Sequence, residues 1–447
     1  MDTQPNVLLL VVDSLRYDAV FGDDSFDTPT IDRLADQGMN FSNCYSQGIS
    51  TAPAMTAMLT GRYPLEYGGH WYIEENQPTF AEQFQTNGYE TGAIHSNPNV
   101  SRLRNFDKGF DTFEENILPL ETDGLLERAP DDVLRYANKF IRLLKRTPYL
   151  PAPRVNRRLA DWVDDTDEPW FLWTQYMDVH GPYLPGGDFT YRNKFRAEKL
   201  WRKAAVNSPD EISDDEHEEL LRNYRKEVEY FDTEVGEFLD TLDRRGDLDD
   251  TIVVIVGDHG DEFYEHERYG HGNLPYDELT HVPLVMKFPD DTAIEQSREI
   301  EECVRCVDVL PTALEVAGAT LTDEMHERLQ GESLLPLLRD GRKPEFDAVV
   351  TEKEMRGETD LRFGFRTDRW KFLYDGKCDE ERLYDLQMDS EERRDVCDEY
   401  PDVVTDFRER LEARFERIED TSESVSVPDI EEQAGVEQRL KALGYHE

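Results

Sequence analysis

NVLLLVVD (residues 6–13) and TIVVIVGD (residues 251–258) are two apolar, β-branched runs of strand length, and each ends in an aspartate. Runs without polar alternation are typical of strands buried on both faces of a parallel sheet. Around them the chain alternates predicted helices with further strands, such as WFLWTQYM (residues 170–177) and VPLVMKF (residues 282–288). This alternation predicts an α/β fold with a mostly parallel central sheet flanked by helices.

The pattern changes near Pro344. AVVTEKE (residues 348–354) and LRFGFRTDRWKFLYD (residues 361–375) are short alternating strands, and a helix is predicted from about Pro401 to Asp420. We therefore expect a main α/β domain at residues 1–343, with insertions at about 120–158 and 186–219. A smaller C-terminal α+β subdomain follows at residues 344–420, and residues 421–447 are expected to form a linker and a short helix.

The chain carries a large excess of negative charge. Its 447 residues include 98 acidic and 50 basic side chains, a formal net charge of −48, spread over the whole length. A content of 38% hydrophobic and 11% aromatic residues indicates a folded core rather than disorder. Charge repulsion destabilises a compact state unless salt screens it, and the Debye length is only about 3 Å at 1 M salt. We expect a folded protein from a high-salt organism, with an ordinary acidic protein as the alternative.

The same charge argues against a nucleic-acid partner, because the protein surface and the phosphate backbone repel each other. The N-terminal segment lacks a basic leader, and no apolar run reaches the roughly 18 residues of a transmembrane helix. The sequence thus predicts a soluble, cytoplasmic protein and leaves its oligomeric state open. Cys303 and Cys306 form a lone Cys-x-x-Cys without a second Cys or His pair, so a structural role is expected for them.

Polar side chains with metal-binding chemistry follow several predicted strands directly. These residues are Asp13, His95, Asp178, His180, Asp258 and His259. In open α/β sheets, functional sites lie beyond the carboxyl ends of the strands. Carboxylates together with a neutral imidazole are suitable ligands for a divalent cation. The pattern therefore predicts a metal site at this edge of the sheet.

Several motifs, in order along nearly the whole chain, resemble those of the sulfatase family within the alkaline-phosphatase superfamily. NVLLLVVDSLRYD (residues 6–18) is similar to the first metal strand of the family, and STAPAMTAMLTGRYP (residues 50–64) to its nucleophile motif. MDVHGPY (residues 177–183) resembles a substrate-site segment, and VGDHGDEFYEHERYGHG (residues 256–272) the second metal strand. The resemblance implies a metal-dependent ester hydrolase with the α/β fold and C-terminal subdomain described above.

Two substitutions depart from that motif. Thr51 stands where the family has the Cys or Ser that is oxidised to formylglycine, and Met55 stands where it has Arg, so no formylglycine is expected. Formylglycine hydrate has two hydroxyls, one to attack sulfur and one to expel sulfate. Threonine has one, so its covalent adduct must be cleaved by attack at sulfur or phosphorus, which is routine only for phosphorus. The nucleophile therefore favours phosphoryl chemistry.

The resemblance implies one divalent metal ion, which is Ca²⁺ by analogy or else Mn²⁺, Mg²⁺ or Zn²⁺. Its implied ligands are Asp13, Thr51, Asp258 and His259, and the implied catalytic residues are Thr51, His180, His271 and Arg62. His95, Asn97 and His281 are weaker candidates. A second metal on Asp178, His180 and His271 is a less favoured alternative.

The function expected from these residues is hydrolysis of a sulfate or phosphate ester, carried by a glycan or another small anionic substrate, through Thr51. Two alternatives stay open at the level of sequence. One is a transferase of the phosphoglycerol or phosphoethanolamine type, and the other is a non-catalytic protein of the same fold that binds anionic sugars.

Overall fold

The fold is built from strands and helices that alternate along the main domain, as predicted. The computed structural model describes residues 4–22, 26–67, 71–115, 149–184, 190–272, 274–292, 294–354 and 361–422. Its strands are β1 (Asn6–Val12), β2 (Met39–Phe41), β3 (Cys44–Tyr45), β4 (Glu90–His95), β5 (Thr112–Glu115), β6 (Trp170–Tyr176), β7 (Thr251–Gly257), β8 (Glu262–Phe263), β9 (Tyr269–Gly270), β10 (Leu284–Lys287), β11 (Arg298–Ile300), β12 (Val304–Arg305), β13 (Val349–Glu354), β14 (Leu361–Arg366), β15 (Trp370–Asp375) and β16 (Glu380–Asp385). Its α-helices are Tyr17–Phe21, Pro29–Gln37, Thr51–Thr60, Phe80–Thr86, Ala152–Asp164, Tyr191–Arg202, Asp214–Arg245, Asp277–Thr280, Val309–Val316, Asp323–Arg328, Leu335–Asp340 and Pro401–Ser422.

An eight-stranded sheet forms the centre of the molecule, in the order β11-β2-β10-β7-β1-β6-β4-β5. β1 pairs in parallel with both β6 and β7, which confirms the mostly parallel sheet. β10 is an exception to the parallel pattern, because it runs antiparallel to both β2 and β7. The chain reaches it through a hairpin and one short helix, without the helical crossover that a parallel return requires.

The strand at the middle of the sheet is buried on both faces. Every residue of β1 is buried, as expected for the run NVLLLVV, which has no polar alternation. Val7, Leu9 and Val11 contribute to one hydrophobic core, whereas the intervening Leu8, Leu10 and Val12 contribute to a second core on the other face. The two-residue period of a strand distributes the run between the two layers of helices.

The C-terminal subdomain is a separate antiparallel sheet, β13-β14-β15-β16, covered by the helix Pro401–Ser422. β13 also reaches the main domain, because Glu352 N donates to Gln47 O at 3.0 Å and Thr351 Oγ1 donates to Ser46 O at 2.7 Å. Residues 46–48 lead directly into the helix Thr51–Thr60, so β13 lies beside the start of that helix. The predicted boundary at residues 343–344 stays a prediction.

The predicted insertions fall partly outside the described residues, since residues 116–148 and 185–189 are not among them. The second insertion contains the helix Tyr191–Arg202 and a π-helical turn at Lys203–Asn207 before the long helix Asp214–Arg245 begins. The predicted terminal helix within residues 423–447 also lies outside the described part of the chain. Among the helices that are described, none combines the length and the apolar character needed to cross a bilayer.

Candidate active site

Two aspartates follow neighbouring strands at the carboxyl edge of the main sheet. Asp13 comes directly after β1 and Asp258 after β7, and both are fully buried. Asp258 Oδ1 accepts from the backbone amides of Ser14 at 3.2 Å and His259 at 2.8 Å. Burial, and next the negative charge of Asp13, hold the pKa of Asp258 well above its usual value. Two carboxylates in this setting need a proton or a cation.

His259 turns one ring nitrogen towards this pair. Its Nδ1 lies 2.8 Å from the carbonyl oxygen of Gly260, so Nδ1 carries the hydrogen and Nε2 has the free lone pair. Nε2 is 3.7 Å from Asp13 Oδ1 and 3.8 Å from Asp258 Oδ2, and it makes no hydrogen bond with any residue that the structure describes. Burial lowers the pKa of His259 to about 4, which keeps the ring neutral. Neutral imidazole is the form that binds metals.

Thr51 is the first residue of the helix Thr51–Thr60, which we call the nucleophile helix. The Thr51 hydroxyl donates to Asp13 Oδ2 at 3.0 Å. A helix N-terminus presents free amide groups and a positive dipole, and both stabilise negative charge on a hydroxyl or a bound anion. Every residue of the nucleophile helix is buried, and the Met55 side chain is packed into a hydrophobic core. Thr51 is therefore held on a rigid support.

Two amides orient the carboxylates. Asn97 Nδ2 donates to Asp13 Oδ2 at 2.8 Å, and Gln175 Nε2 donates to Asp258 Oδ2 at 2.9 Å. His95 lies next to Asn97 in the core. Its Nδ1 accepts from the backbone N–H of Asn97 at 3.3 Å, and its ring packs against Trp173. Burial lowers the pKa of His95 to about 3, so it is a neutral core residue that supports the Asn97 turn.

A second layer of side chains is formed by His271, Asp261, Tyr183 and His180. His271 Nδ1 lies 2.6 Å from Asp261 Oδ1, and Tyr183 donates to the other oxygen of that carboxylate at 2.7 Å. Burial alone would lower the pKa of His271, but the charge and hydrogen bond of Asp261 raise it overall. The His271 ring centroid is 4.4 Å from that of His259 and 5.7 Å from that of His180. The structure thus brings both predicted catalytic histidines near the candidate metal ligands, His271 beside His259 and His180 beside His271.

Lys353 approaches the same site from the C-terminal subdomain. Its Nζ donates to Ser50 Oγ at 3.3 Å, directly before Thr51, and lies 5.6 Å from the centre of the Trp71 ring. The side chain is only 5% exposed, and its charge acts against protonation of His271. A buried ammonium group at this position favours an anionic substrate.

Three predicted site residues lie apart from this cluster. Arg62 follows the far end of the nucleophile helix, roughly 15 Å along the axis from Thr51, and donates to Gln77 at 2.7 Å. Asp178 accepts from the Ala152 amide at 3.0 Å, where the helix Ala152–Asp164 begins. His281 Nε2 lies 2.9 Å from the Ser42 carbonyl, and its ring stacks on aromatic residues. The predicted catalytic role of Arg62 is thus not supported by any contact with Thr51 among the described residues.

The predicted second metal on Asp178, His180 and His271 does not match the donor groups that the described residues bring together. In contrast, one ligand atom each from Asp13, Asp258 and His259 lies within 4.8 Å of the others. Cys303 and Cys306 do not pair with each other; Cys306 Sγ is 3.8 Å from Cys44 Sγ in the core. The expected structural role of these cysteines is consistent with that position.

The donor set fits a divalent cation on the evidence of the side chains themselves. Two buried carboxylates carry charge that the described surroundings do not neutralise, and the unprotonated nitrogen of His259 faces them. The Thr51 hydroxyl adds a further oxygen next to Asp13. Three oxygen donors and one imidazole nitrogen are typical ligands of a hard or borderline divalent ion.

Sequence reasoning missed three contributors to this site: Gln175, Asp261 and Lys353. The sequence pattern could have indicated Gln175, since it is a polar residue near the end of an apolar strand. Asp261 follows the metal residues by two positions in the same motif. Lys353 carried no such signal, because it lies in a short alternating strand where a lysine usually faces solvent.

Comparison with known proteins places this geometry in a family. The sulfatase family model matches residues 5–319, and the model of the N-sulphoglucosamine sulphohydrolase C-terminal region matches residues 265–419. An arylsulfatase of Clostridium perfringens is 25% identical to the chain, over 91% of the chain and 94% of its own length.

Solved structures show the same fold. A phosphonate monoester hydrolase of Agrobacterium radiobacter superimposes with a TM-score of 0.71 at 19% identity, covering 92% of this chain and 96% of that one. A structure solved in complex with D-glucosamine-2-N,6-O-disulfate gives a TM-score of 0.71 at 19% identity, covering 93% and 98%. The family model spans most of the chain and includes the strand ends that carry Asp13 and Asp258. The chain therefore belongs to the sulfatase family.

Proposed function

We propose that this protein hydrolyses an anionic ester with Thr51 as the nucleophile and one divalent metal ion held by Asp13, Asp258, His259 and the Thr51 hydroxyl. The observation that carries the proposal is the 3.0 Å hydrogen bond from the Thr51 hydroxyl to Asp13, at the start of a buried helix and beside the unprotonated nitrogen of His259. This arrangement places a nucleophile, an anion-stabilising helix end and a cation site together.

Members of the sulfatase family generally bind a divalent metal, and the donor atoms here suit one. When bound, such an ion would neutralise the two carboxylates, lower the pKa of the Thr51 hydroxyl and polarise an ester oxygen. The imidazole ligand favours a borderline ion such as Mn²⁺ or Zn²⁺ over Ca²⁺, which prefers an all-oxygen environment.

The chain's own residues account for the remaining requirements of the reaction. The Thr51 hydroxyl gives up its proton along its hydrogen bond to Asp13 Oδ2, and Thr51 Oγ1 forms the new bond to phosphorus. The bond to the leaving oxygen breaks, and His271 donates a proton to that oxygen. The raised pKa of His271 suits it to this role, because the shift favours the protonated ring. His180 is proposed to assist in this role, since its ring centroid lies 5.7 Å from that of His271. Water then attacks the phosphorus of the Thr51 adduct and passes a proton to His271, which the first step left neutral. The bond from phosphorus to Thr51 Oγ1 breaks, Thr51 takes back a proton, and phosphate is released from a monoester or a phosphomonoester from a diester.

Lys353 is proposed to bind the charged oxygens of the ester. Its ammonium group adjoins Ser50 and Thr51, and Trp71 beside it offers an aromatic face to the substrate. A cation over an aromatic ring at the edge of the site is a suitable surface for a phosphorylated or sulfated sugar. The complex with a sulfated glucosamine solved for a protein of the same fold gives the class of substrate to try first.

We propose that phosphate esters are the better substrates. Thr51 has a single hydroxyl, so its covalent adduct can be resolved only by attack at the central atom, and that step is much easier at phosphorus than at sulfur. The phosphonate monoester hydrolase of Agrobacterium radiobacter has the same fold, which supports the choice of a phosphorus ester over a sulfate ester.

The proposal is tested with bis(4-nitrophenyl) phosphate, 4-nitrophenyl phosphate and 4-nitrophenyl sulfate on the manganese-loaded and the zinc-loaded protein. Thr51→Ala is expected to lower the phosphate ester activity at least about a hundredfold, because only binding and electrostatics remain. Thr56→Ala is the matched control, since Thr56 is a buried threonine of the same helix whose hydroxyl donates to the Ala52 carbonyl and to no other described residue. Mass spectrometry of rapidly quenched protein should find one phosphoryl group on Thr51.

Two results would contradict separate parts of the proposal. Undiminished turnover by Thr51→Ala would remove Thr51 as the nucleophile. Faster hydrolysis of the sulfate ester than of the phosphate esters would overturn the choice of phosphorus and leave the nucleophile standing.

A further inference from the structure

A second group of metal-binding side chains lies outside the active site. It consists of His266, Glu278 and Glu392, which we call the junction cluster. His266 lies in the loop between β8 and β9, Glu278 in the short helix Asp277–Thr280, and Glu392 in the C-terminal subdomain beyond β16. One ligand atom from each lies within 4.8 Å of the other two. Three segments distant in sequence thus converge on one point.

The facing atoms of the junction cluster have no hydrogen bonds. His266 Nε2, Glu278 Oε2 and Glu392 Oε1 are all buried, and none makes a hydrogen bond with any described residue. Glu392 is 1% exposed, and its other oxygen is occupied by the Asp277 amide at 2.8 Å. His259 Nε2 has the same character in the active site. Buried polar atoms are nearly always satisfied, so three such atoms pointing at one another indicate a missing ligand.

The charge around the junction cluster is unbalanced. Lys371 Nζ is the nearest cation, at 3.5 Å from Glu392 Oε1, but it lies only 2.6 Å from Asp277 and is bound mainly to that carboxylate. His266 Nε2 lies 3.3 Å from Glu278 Oε2. The His266 ring stacks on the Tyr276 ring, with the ring centres 3.5 Å apart. The stacking fixes the ring plane and therefore the direction of Nε2.

Another carboxylate adds to this negative charge. Glu262, on β8, is 1% exposed, and its Oε1 has no hydrogen bond among the described residues. Burial and then the charge of Glu278 hold the pKa of Glu262 well above its usual value. The carboxylate of Glu262 thus adds negative charge beside that of Glu278.

We propose that the junction cluster is a second divalent metal site, with His266, Glu278 and Glu392 as its protein ligands. One imidazole and two carboxylates are the ligands that Zn²⁺ and Mn²⁺ accept, and they resemble three-ligand zinc sites that take water as a further ligand. Entry from solvent is open, because His266 also borders a surface cavity of about 350 Å³ lined by Asp210, Arg268, Tyr276 and Arg382.

The position of this site suggests a structural purpose. β8 and β9 form the hairpin between Asp261 and His271, both of which belong to the active-site cluster. Glu392 belongs to the C-terminal subdomain that also supplies Lys353. A metal ion at the junction cluster would connect the hairpin to that subdomain and hold His271 and Lys353 in a fixed relation.

The test measures metal stoichiometry in a protein whose catalytic site is disabled. The background is Asp258→Asn with His259→Ala, since His259 also approaches Asp261 and His271 and a remaining pair there must not bind metal. Chelator-treated protein is exchanged into Zn²⁺, gel-filtered and assayed for zinc. One zinc per chain is expected, and adding Glu278→Gln and Glu392→Gln should remove it. Glu267→Gln, an exposed change on the same hairpin, should retain the zinc.

A second measurement covers the case in which the combined variant does not fold. Glu278→Gln with Glu392→Gln in the otherwise unchanged protein should lower the zinc content from two per chain to one. It should also abolish part of the zinc-induced rise in melting temperature. Zinc content unchanged by these two substitutions would overturn the proposal. So would a disabled catalytic site that leaves no zinc on a folded chain. Because the readout is zinc bound and not turnover, either result is independent of the proposed ester hydrolysis.

Discussion

Lys353→Met tests the contribution of the C-terminal subdomain to catalysis. The substitution removes a buried positive charge whose Nζ lies 3.3 Å from Ser50 Oγ, beside the nucleophile. We take the ester oxygen to bind Lys353 at the contact distance of an ion pair, about 4 Å. At an effective dielectric constant of about 20, two unit charges at that distance interact by about 4 kcal/mol. Each 1.36 kcal/mol corresponds to a factor of ten, so kcat/KM should fall by about a thousandfold at most.

The charge of the substrate makes this prediction specific. A phosphomonoester carries nearly two negative charges at neutral pH, whereas a phosphodiester and a sulfate ester carry one. If Lys353 binds the ester oxygens, the loss of kcat/KM should be larger for 4-nitrophenyl phosphate than for bis(4-nitrophenyl) phosphate. A residue that only supports the fold would reduce both equally and would lower the melting temperature as well.

Steady-state kinetics with both esters, together with thermal unfolding, measures these effects. Lys377→Met is the matched control, because Lys377 is an exposed lysine in the same subdomain and its loss changes the net charge equally. We expect that control to keep its activity within about twofold, the usual range for a surface substitution. A Lys353→Met protein with the same loss on both esters, or with no loss, would refute the assignment.

Three further outcomes are expected. Asp258→Asn should lose the catalytic metal and the activity together, measured by metal analysis and turnover; full catalytic-site occupancy in the variant would exclude this ligand. The protein should lose its circular dichroism signal on dilution from about 2 M to about 0.1 M salt, where screening of the −48 charge weakens; a salt-independent melting temperature would contradict this. The pKa of His95 is about 3 in the fold, against about 6.5 when unfolded, so the unfolded state takes up a proton first as the pH falls. The contribution of neutral His95 to the free energy of unfolding is complete above about pH 6.5. It is lost as the pH falls towards 3, by about 1.4 kcal/mol per pH unit. His95→Leu should therefore gain stability relative to the wild type over this window, in urea titrations at several pH values, and parallel profiles would show the reasoning wrong.

The carboxyl edge of the main sheet was predictable from sequence because it depends on local patterns. Each buried run ends where its polar residue must leave the core, so the strand ends make Asp13, Asp258 and His259 candidates, and the resemblance to the sulfatase family implies their role as metal ligands. Parallel pairing of β1 with β7 then placed them side by side. The start of the nucleophile helix was equally local, since a helix N-terminus has its own composition.

What depended on contacts between distant segments was not predictable. Lys353 reaches Ser50 only because β13 bonds to residues 46–48, a pairing that no periodicity encodes. Asp178 also follows a strand end, one residue further along than Asp13, yet it accepts from the Ala152 amide, because the helix Ala152–Asp164 begins beside it. The antiparallel direction of β10 depended likewise on the path of its connection and not on its composition.

The burial of Met55 has a consequence for any attempt to install formylglycine in this chain. The family motif that the sequence resembles has an arginine there, and in this chain the position is closed by the apolar side chains around the nucleophile helix. Restoring the guanidinium would place a charge and extra volume in a filled core, at a cost of several kcal/mol. Thr51→Cys alone would lack its partner, and Met55→Arg alone would destabilise the fold. The two changes would have to be made together, so a formylglycine site is opposed in this chain by packing as well as by the residue at position 51.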